Sequence, residues 1–338
     1  MRRAETTVTD HLLQTVERET PKPGPGEVVV EIAASYVAPF LNDLIPPDTA
    51  FVTPERPFVP GSDAIGRLVE IGPGGANLSV GDMVFVDCLV DDRWDGHEGH
   101  AAFTGNFAVS NDATGLLADW RDGTFATHIR VPASNVTSVA PALPHAPAAS
   151  LCRLGWFGTA LSALRNGGFA PGMTVAVIGA SGQVGSSAIM LAHALGATQV
   201  TAVGRDVARM APLLAIDPSI QLAYGVPVGC ELVISTSDGD CGAMVEDALS
   251  RLARRGTLVL VASPNSPLSV SGIVLREVTL RGSFWFPPDM PGELVAMIAD
   301  GTLDLSVLTA HTFPLDEVNA ALDAARDMPP LHHVALIP

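Results

Sequence analysis

Residues 175–197, VAVIGASGQVGSSAIMLAHALGA, carry the densest chemical signal in the chain. An apolar run meets Gly179, Gly182 and Gly185, spaced G-x-x-G-x-x-G. From Val184 onward, Val184, Ala188, Leu191, Ala192 and Leu195 share one helical face. Glycines at a strand-to-helix turn let the backbone approach a pyrophosphate, and the helix N-terminus offers unpaired N–H groups and partial positive charge. The same residues also suit a tight turn with close helix–sheet packing. The strand–turn–helix context favours a dinucleotide cradle made of Gly179, Ala180, Ser181, Gly182, Gln183, Val184 and Gly185. The next strand ends Val203-Gly204-Arg205-Asp206. An NAD site puts Asp or Glu at such a strand end to grip the ribose 2′-hydroxyl. Here Gly204 holds that position and Arg205 follows, with Arg209 one turn on, which predicts a 2′-phosphate partner and NADP(H) as cofactor. The competing reading makes Arg205 a surface residue and Asp206 a helix cap.

These residues need a scaffold. From about residue 150, strand-like runs alternate with helix-like ones. TVAVI (174–178), QVTAV (199–203), ELVIST (231–236), TLVLVAS (257–263) and VTLRGSFW (278–285) are separated by QVGSSAIMLAHAL, DVARMAPLLA and GAMVEDALSRLARR. That alternation predicts an α/β doubly wound parallel sheet. Up to about residue 148 the chain is β-rich: EVVVEIAAS (27–35), AIGRLVEIG (64–72), DMVFVDC (82–88) and FATHIRVP (125–132), broken by glycine and proline turns. Short strands of that kind predict a small barrel or sandwich. Residues 89–123 are polar and irregular and read as a long loop or lid. The tail holds a helical ELVAMIADG and closes on VALIP.

At 338 residues and 47% apolar content, two domains with a sizeable core are expected. A formal net charge of −17 without a basic patch argues against nucleic acid as a partner. The single lysine, Lys22, sits in PKPGPG, which argues against Schiff-base chemistry. No apolar stretch is long enough for a bilayer and MRRAETTVTDH lacks the apolar core of a signal peptide, so no membrane partner is expected. Cys88, Cys152, Cys230 and Cys241 are scattered, which favours a reducing, cytoplasmic location.

Several stretches resemble the medium-chain dehydrogenase/reductase superfamily: PGPGEVVVEI, PFVPGSDAIGRLVEIG (57–72), DGTFATHIRVPASNV (122–136), FAPGMTVAVIGASGQVG (169–185) and FPLDEVNAAL (313–322). Together they span nearly the whole chain. The resemblance implies a GroES-like β-barrel catalytic domain (1–148 and 286–338) split around a Rossmann domain (149–285), with the active site in the cleft between them. It also implies a homodimer paired edge to edge through VTLRGSFW, and usually a helix between the third and fourth Rossmann strands. IQLAYGVPVGCELVIST leaves room there only for a turn. The family's zinc enzymes hold a catalytic metal with Cys, His and Cys. Those positions fall near Phe40 (or Ala38), at Ser62 followed by Asp63, and near Leu154, with Cys152 off register. DDRWDGHEGHAAFTGNF replaces the structural zinc lobe. In GHEGH, His97 and His100 flank Glu98, downstream of Cys88 and Asp91, without the spacing or apolar helical context of HExxH, so a solvated loop is expected. The chain therefore resembles the zinc-independent, quinone-oxidoreductase-like branch, with no zinc expected.

The resulting expectation is an NADPH-dependent, zinc-independent oxidoreductase delivering hydride to an activated double bond or quinone of a small molecule. The alternatives are a carbonyl/alcohol oxidoreductase and a non-catalytic NADP(H)-binding protein. By resemblance Tyr36, Asn42 and Asp63 are the candidate catalytic residues. Tyr36 reads equally as a phenol donating to substrate and as a buried aromatic; Asn42 reads also as a cap, and Asp63 as a group orienting backbone or arginine. Ser62, His97, Trp156 and Trp285 join Tyr36 as substrate contacts. Ser235, Thr236, Ala262, Ser263, Phe284 and Trp285 are expected to run beside the nicotinamide half of the cofactor.

Overall fold

The computed structural model describes residues 1–6, 12–75, 78–91, 100–109, 113–238, 242–263 and 270–338. The strands are β1 (Arg2–Thr6), β2 (Leu13–Glu17), β3 (Glu27–Tyr36), β4 (Ala64–Ile71), β5 (Met83–Val86), β6 (Leu89–Asp91), β7 (Ala101–Phe103), β8 (His128–Pro132) and β9 (Val136–Ser138). They continue as β10 (Thr174–Ile178), β11 (Gln199–Val203), β12 (Gln221–Ala223), β13 (Cys230–Ser235), β14 (Leu252–Leu260), β15 (Thr279–Gly282), β16 (Thr309–Pro314) and β17 (His332–Ile337). A wholly parallel, six-stranded sheet runs β12-β11-β10-β13-β14-β15. A seven-stranded sheet runs β16-β17-β3-β4-β5-β9, with β8 also on β3. β17 pairs antiparallel to β3, Ala335 opposite Tyr36, so the tail returns to the first sheet after the parallel one is complete. This is the expected class: a GroES-like barrel and a Rossmann-type doubly wound sheet.

The central strand shows why TVAVI belongs here. Val175, Ala176, Val177 and Ile178 are all buried. Val175 and Val177 join the apolar cluster containing Leu161, Leu164 and Leu191 of the helices Leu154–Asn166 and Gln183–Ala194. Ala176 and Ile178 join the cluster of Val245 and Leu249, from the helix Gly242–Arg251 on the opposite face. A parallel strand covered on both sides must be apolar throughout. Each aliphatic side chain so buried contributes about 1.5–3 kcal/mol.

Three local expectations are corrected. DVARMAPLLA folds as a 3-10 helix, Ala208–Ala215, because Pro212 inside it removes a backbone donor. The segment 89–123 contains the β6–β7 hairpin and a helix, Thr114–Asp119, whose Leu117 packs with Ala102 and Ala113. β14 begins at Leu252, directly after the helix, through a register shift between Cys230 and Leu232. Only a short turn joins β12 to β13, as the sequence requires.

Candidate active site

β10 pairs with β11 on one side and β13 on the other, so strand order reverses there, the usual crevice for a dinucleotide. Gly179 adopts φ 79°, and its N–H donates to Val203 O at 3.0 Å. Gly182 N–H donates to Gly179 O at 2.9 Å, closing the turn. A Cβ on Gly185 would lie 2.2 Å from Gly179 O, so only glycine lets the helix sit this close to the strand. Gly182 differs: it is exposed, has ordinary extended backbone, and its Cβ would meet nothing nearer than Gly179 O at 3.3 Å. Ala180 is buried, while Ser181, Gln183 and Val184 are half-buried. Gln183 Nε2 anchors the turn to the barrel by donating to His332 O at 2.8 Å. At the end of β11, Gly204 N–H donates to Ala223 O at 3.1 Å and Arg205 is exposed. Arg209 is engaged with Asp327 at 2.6 Å and Met328 O at 3.1 Å, and Asp206 accepts the Arg209 N–H.

A cavity of about 590 Å³ lies between the parallel sheet and the barrel. Val184, Thr236, Ala262 and Ser263 form its Rossmann wall, and Ser62 and Cys88 its polar barrel wall. Aromatic rings close the rest. Phe103 packs on Phe107 (5.0 Å between centroids) and on Trp285 (4.8 Å), and Phe51 packs on Phe107 (5.0 Å). Trp285 sits at φ 53°, a conformation rare for an aromatic residue, while its Nε1–H donates to Asp87 Oδ1 at 3.0 Å. Leu89 N–H donates to the same oxygen at 2.9 Å.

Behind the barrel wall the buried Asp63 and Cys88 lie beside the half-buried Asp87. Asp63 is completely buried, and its Oδ2 has no hydrogen-bond partner among the described residues. Its Oδ1 accepts the Cys88 N–H at a long 3.4 Å. One ligand atom from each of Asp63, Asp87 and Cys88 lies within 4.8 Å of the others. Burial raises Asp63 well above the carboxylate range, and the nearby Asp87 adds to it. Burial also pushes Asp87 up to about 7 and the Cys88 thiol well up. A Cβ on Gly155 would fall 1.9 Å from Asp63 Oδ2, so that glycine makes the space for the carboxylate. Next to this cluster, Arg153 is fully buried and donates to Gln183 O at 2.8 Å and Ser186 Oγ at 2.6 Å. Burial lowers it to about 10, so it stays cationic at neutral pH.

Of the expected residues, Ser62, Trp156, Val184, Thr236, Ala262, Ser263, Phe284 and Trp285 line the one cavity. Ser235 is buried at the end of β13 beneath it. Tyr36 is 1% exposed, stacked on His333 and tilted against Trp156, with its phenol pushed up by burial. Asn42 donates to Pro39 O and to Leu322 O at 2.9 Å. His97 lies outside the described residues. Sequence reasoning missed Asp87, Phe51, Phe103 and Phe107, and read Cys88 only as a scattered cysteine and a neighbour of GHEGH. The available signal was a thiol and a carboxylate directly after the apolar strand MVFV.

Residues 24–141 match the alcohol dehydrogenase GroES-like domain family. An alcohol dehydrogenase of Moraxella sp. (strain TAE123) is 28% identical over 93% of this chain and 92% of its own length. An L-threonine 3-dehydrogenase of Caldanaerobacter subterraneus subsp. tengcongensis is 26% identical over 91% and 90%. In fold, a cobalt- and zinc-bound thermostable alcohol dehydrogenase from Pyrobaculum aerophilum superposes with a TM-score of 0.79 at 23% identity, covering 100% of this chain and 99% of that one. These relatives overturn the expected enone or quinone reductase: the proteins similar along the whole chain are named for alcohol oxidation. The quinone-oxidoreductase-like branch rested on missing zinc ligands, and lost ligands do not determine a substrate. The barrel, the parallel sheet, the matched domain and the full-length relatives agree: residues 24–141 form an alcohol dehydrogenase GroES-like domain, and the whole chain resembles oxidoreductases of the medium-chain dehydrogenase/reductase type.

Proposed function

We propose that this protein interconverts small alcohols and carbonyl compounds by hydride exchange with NADP(H). The carrying observation is the 590 Å³ cavity, which brings the end of the glycine turn (Val184) opposite Ser62 and Cys88 with aromatic rings between. In this reading Gly179–Gly185 would hold the cofactor's pyrophosphate, Val184, Thr236, Ala262 and Ser263 its nicotinamide end, and Arg205 a 2′-phosphate. The nicotinamide, when bound, would supply hydride-transfer chemistry. The rings of Phe103, Phe107 and Trp285 hold the apolar body of the substrate and exclude water. Ser62 orients the substrate oxygen by hydrogen bonding, and Tyr36 backs Trp156 rather than touching substrate. Two domains (1–148 with 286–338, and 149–285) meet at the cleft.

The zinc carried by the Pyrobaculum relative raises the question of a metal here. Ser62 and Leu154 offer neither imidazole nor thiolate at the family's ligand positions. Asp63, Asp87 and Cys88 do offer a thiol and two carboxylates close together, with an orphaned buried oxygen and a glycine-made space. That set fits a divalent ion, which would supply Lewis-acid polarisation of the substrate oxygen.

A homodimer through β15 is supported by that strand's exposure at the edge of its sheet, and light scattering tests it. The unpaired Cys88, Cys152 and Cys230 support a cytoplasmic location; no helix among the described residues is long and apolar enough to cross a membrane. The test of function is a parallel fluorescence titration with NADPH and NADH, followed by turnover of a panel of alcohols and aldehydes. Saturable dinucleotide binding with turnover of apolar alcohols is expected. Dinucleotide binding with no turnover across the panel refutes the catalytic reading.

A further inference from the structure

We propose that Arg153 is a positioning residue for the dinucleotide: a buried cation held under the first turn of the helix Gln183–Ala194, whose charge is compensated only when a pyrophosphate sits on that turn. The inference rests on the dinucleotide reading of the glycine turn, and adds to it a residue that does not itself touch the cofactor. Arg153 stands directly before the helix Leu154–Asn166, which packs against the helix Gln183–Ala194. Its Nη2 donates to Gln183 O at 2.8 Å, to Ser186 Oγ at 2.6 Å and to Ser187 Oγ at 3.2 Å. The same turn begins with the N–H groups of Gln183, Val184 and Gly185, which have no backbone partner among the described residues. The guanidinium and the free N–H donors thus belong to one helical turn.

Three observations separate Arg153 from an ordinary structural arginine. It is 0% exposed, yet its Nε and Nη1 have no hydrogen-bond partner and none of its bonds goes to a carboxylate among the described residues. Its titratable neighbours are Tyr36, Cys152 and His333, each held neutral by burial, and the Phe157 ring, 5.5 Å from the guanidinium carbon, offsets the charge only in part. The second observation is that its acceptors do not need it. Ser186 Oγ already donates to Gly182 O at 2.8 Å, and Ser187 Oγ to Gln183 O at 3.0 Å. The third is its place, since a cation at a helix N-terminus opposes the macrodipole, which favours an anion there. A buried charge without a counter-ion is strongly unfavourable, so the unliganded protein carries a strain that an anion relieves. A doubly negative pyrophosphate on the turn satisfies the free N–H groups, the dipole and the guanidinium together. In a chain of net charge −17, that local positive charge also offsets repulsion of an anionic cofactor. Arg153 therefore lowers the stability of the unliganded protein and raises its affinity for the dinucleotide.

The test compares the full-length wild type with Arg153→Met, of similar length and uncharged, and Arg153→Lys, which keeps the charge and loses the fork. Thermal denaturation is measured without ligand. NADPH affinity is read by fluorescence titration, and inorganic pyrophosphate affinity by its competition with NADPH. Arg153→Met should melt at or above the wild-type temperature while binding both NADPH and pyrophosphate about tenfold or more weakly. Arg153→Lys should keep most of the affinity for both. Wild-type NADPH affinity in Arg153→Met overturns the inference and leaves the dinucleotide reading standing. An Arg153→Met protein that melts below wild type, or fails to fold, also overturns it, because the arginine would then be a structural support. A wild type that binds no NADPH removes the dinucleotide reading itself, and the inference with it.

Discussion

The two readings of the glycine turn separate at Gly182. Gly185 is demanded by the protein itself: a Cβ there would stand 2.2 Å from a backbone oxygen, more than an ångström inside ordinary contact. Gly185→Ala must push the helix Gln183–Ala194 off β10, an overpacking cost of about 1–3 kcal/mol. Gly182 has no such demand, since its backbone suits any residue and its nearest neighbour would be at 3.3 Å. Replacing glycine by alanine at a helix N-cap costs up to about 1 kcal/mol, offset by about 0.4–1 kcal/mol from the stiffer unfolded chain. Gly182→Ala should therefore move Tm by no more than about 2–4 °C. Its methyl would project into the space where a pyrophosphate meets the helix N-terminus. Losing one or two charge-assisted hydrogen bonds at about 1.5–3 kcal/mol each lowers dinucleotide affinity by about 10- to 100-fold or more. Thermal denaturation paired with NADPH fluorescence titration measures both quantities. Wild-type affinity in Gly182→Ala, beside a destabilised Gly185→Ala, would return the glycines to the role of a tight turn.

Other consequences follow from individual contacts. Arg205→Ala should weaken NADPH about tenfold and leave NADH unchanged, read by parallel titrations. His333 is held near a pKa of about 3, chiefly by burial and then by Arg153, against 6.5 when free. The unfolded chain alone therefore takes up a proton as pH falls below about 6.5, and stability drops until about pH 3, by at most about 4–5 kcal/mol. Denaturant melts of wild type and His333→Gln across that window check this; an equally steep acid limb in the variant excludes His333 as its cause. Phe286 is 1% exposed, and Gly158 lets its ring approach so closely that a Cβ there would be 2.5 Å away. Phe286→Ala should cost about 3–5 kcal/mol by chemical denaturation. A loss below 1 kcal/mol would mean the site collapses freely around the gap.

Local pattern alone placed the parallel sheet. TVAVI and QVTAV coincide with β10 and β11 residue for residue, because a strand covered on both faces announces itself as an apolar run between turn signals. The glycine turn was legible for the same reason: its backbone needs are met within a dozen residues. Pro212 and the polar character of 89–123 misled the local reading, since a 3-10 turn and a short hairpin leave weak periodicities. What the linear pattern did not contain was the barrel wall of the site. Asp87 meets Trp285 across 198 residues, Asp63 meets Cys88 across 25, and the phenylalanine rings converge from separate loops. Spacing along the chain records only neighbours within one element. The juxtaposition of two carboxylates, a thiol and an aromatic pocket was decided by strand pairing in the barrel and by its docking against the parallel sheet.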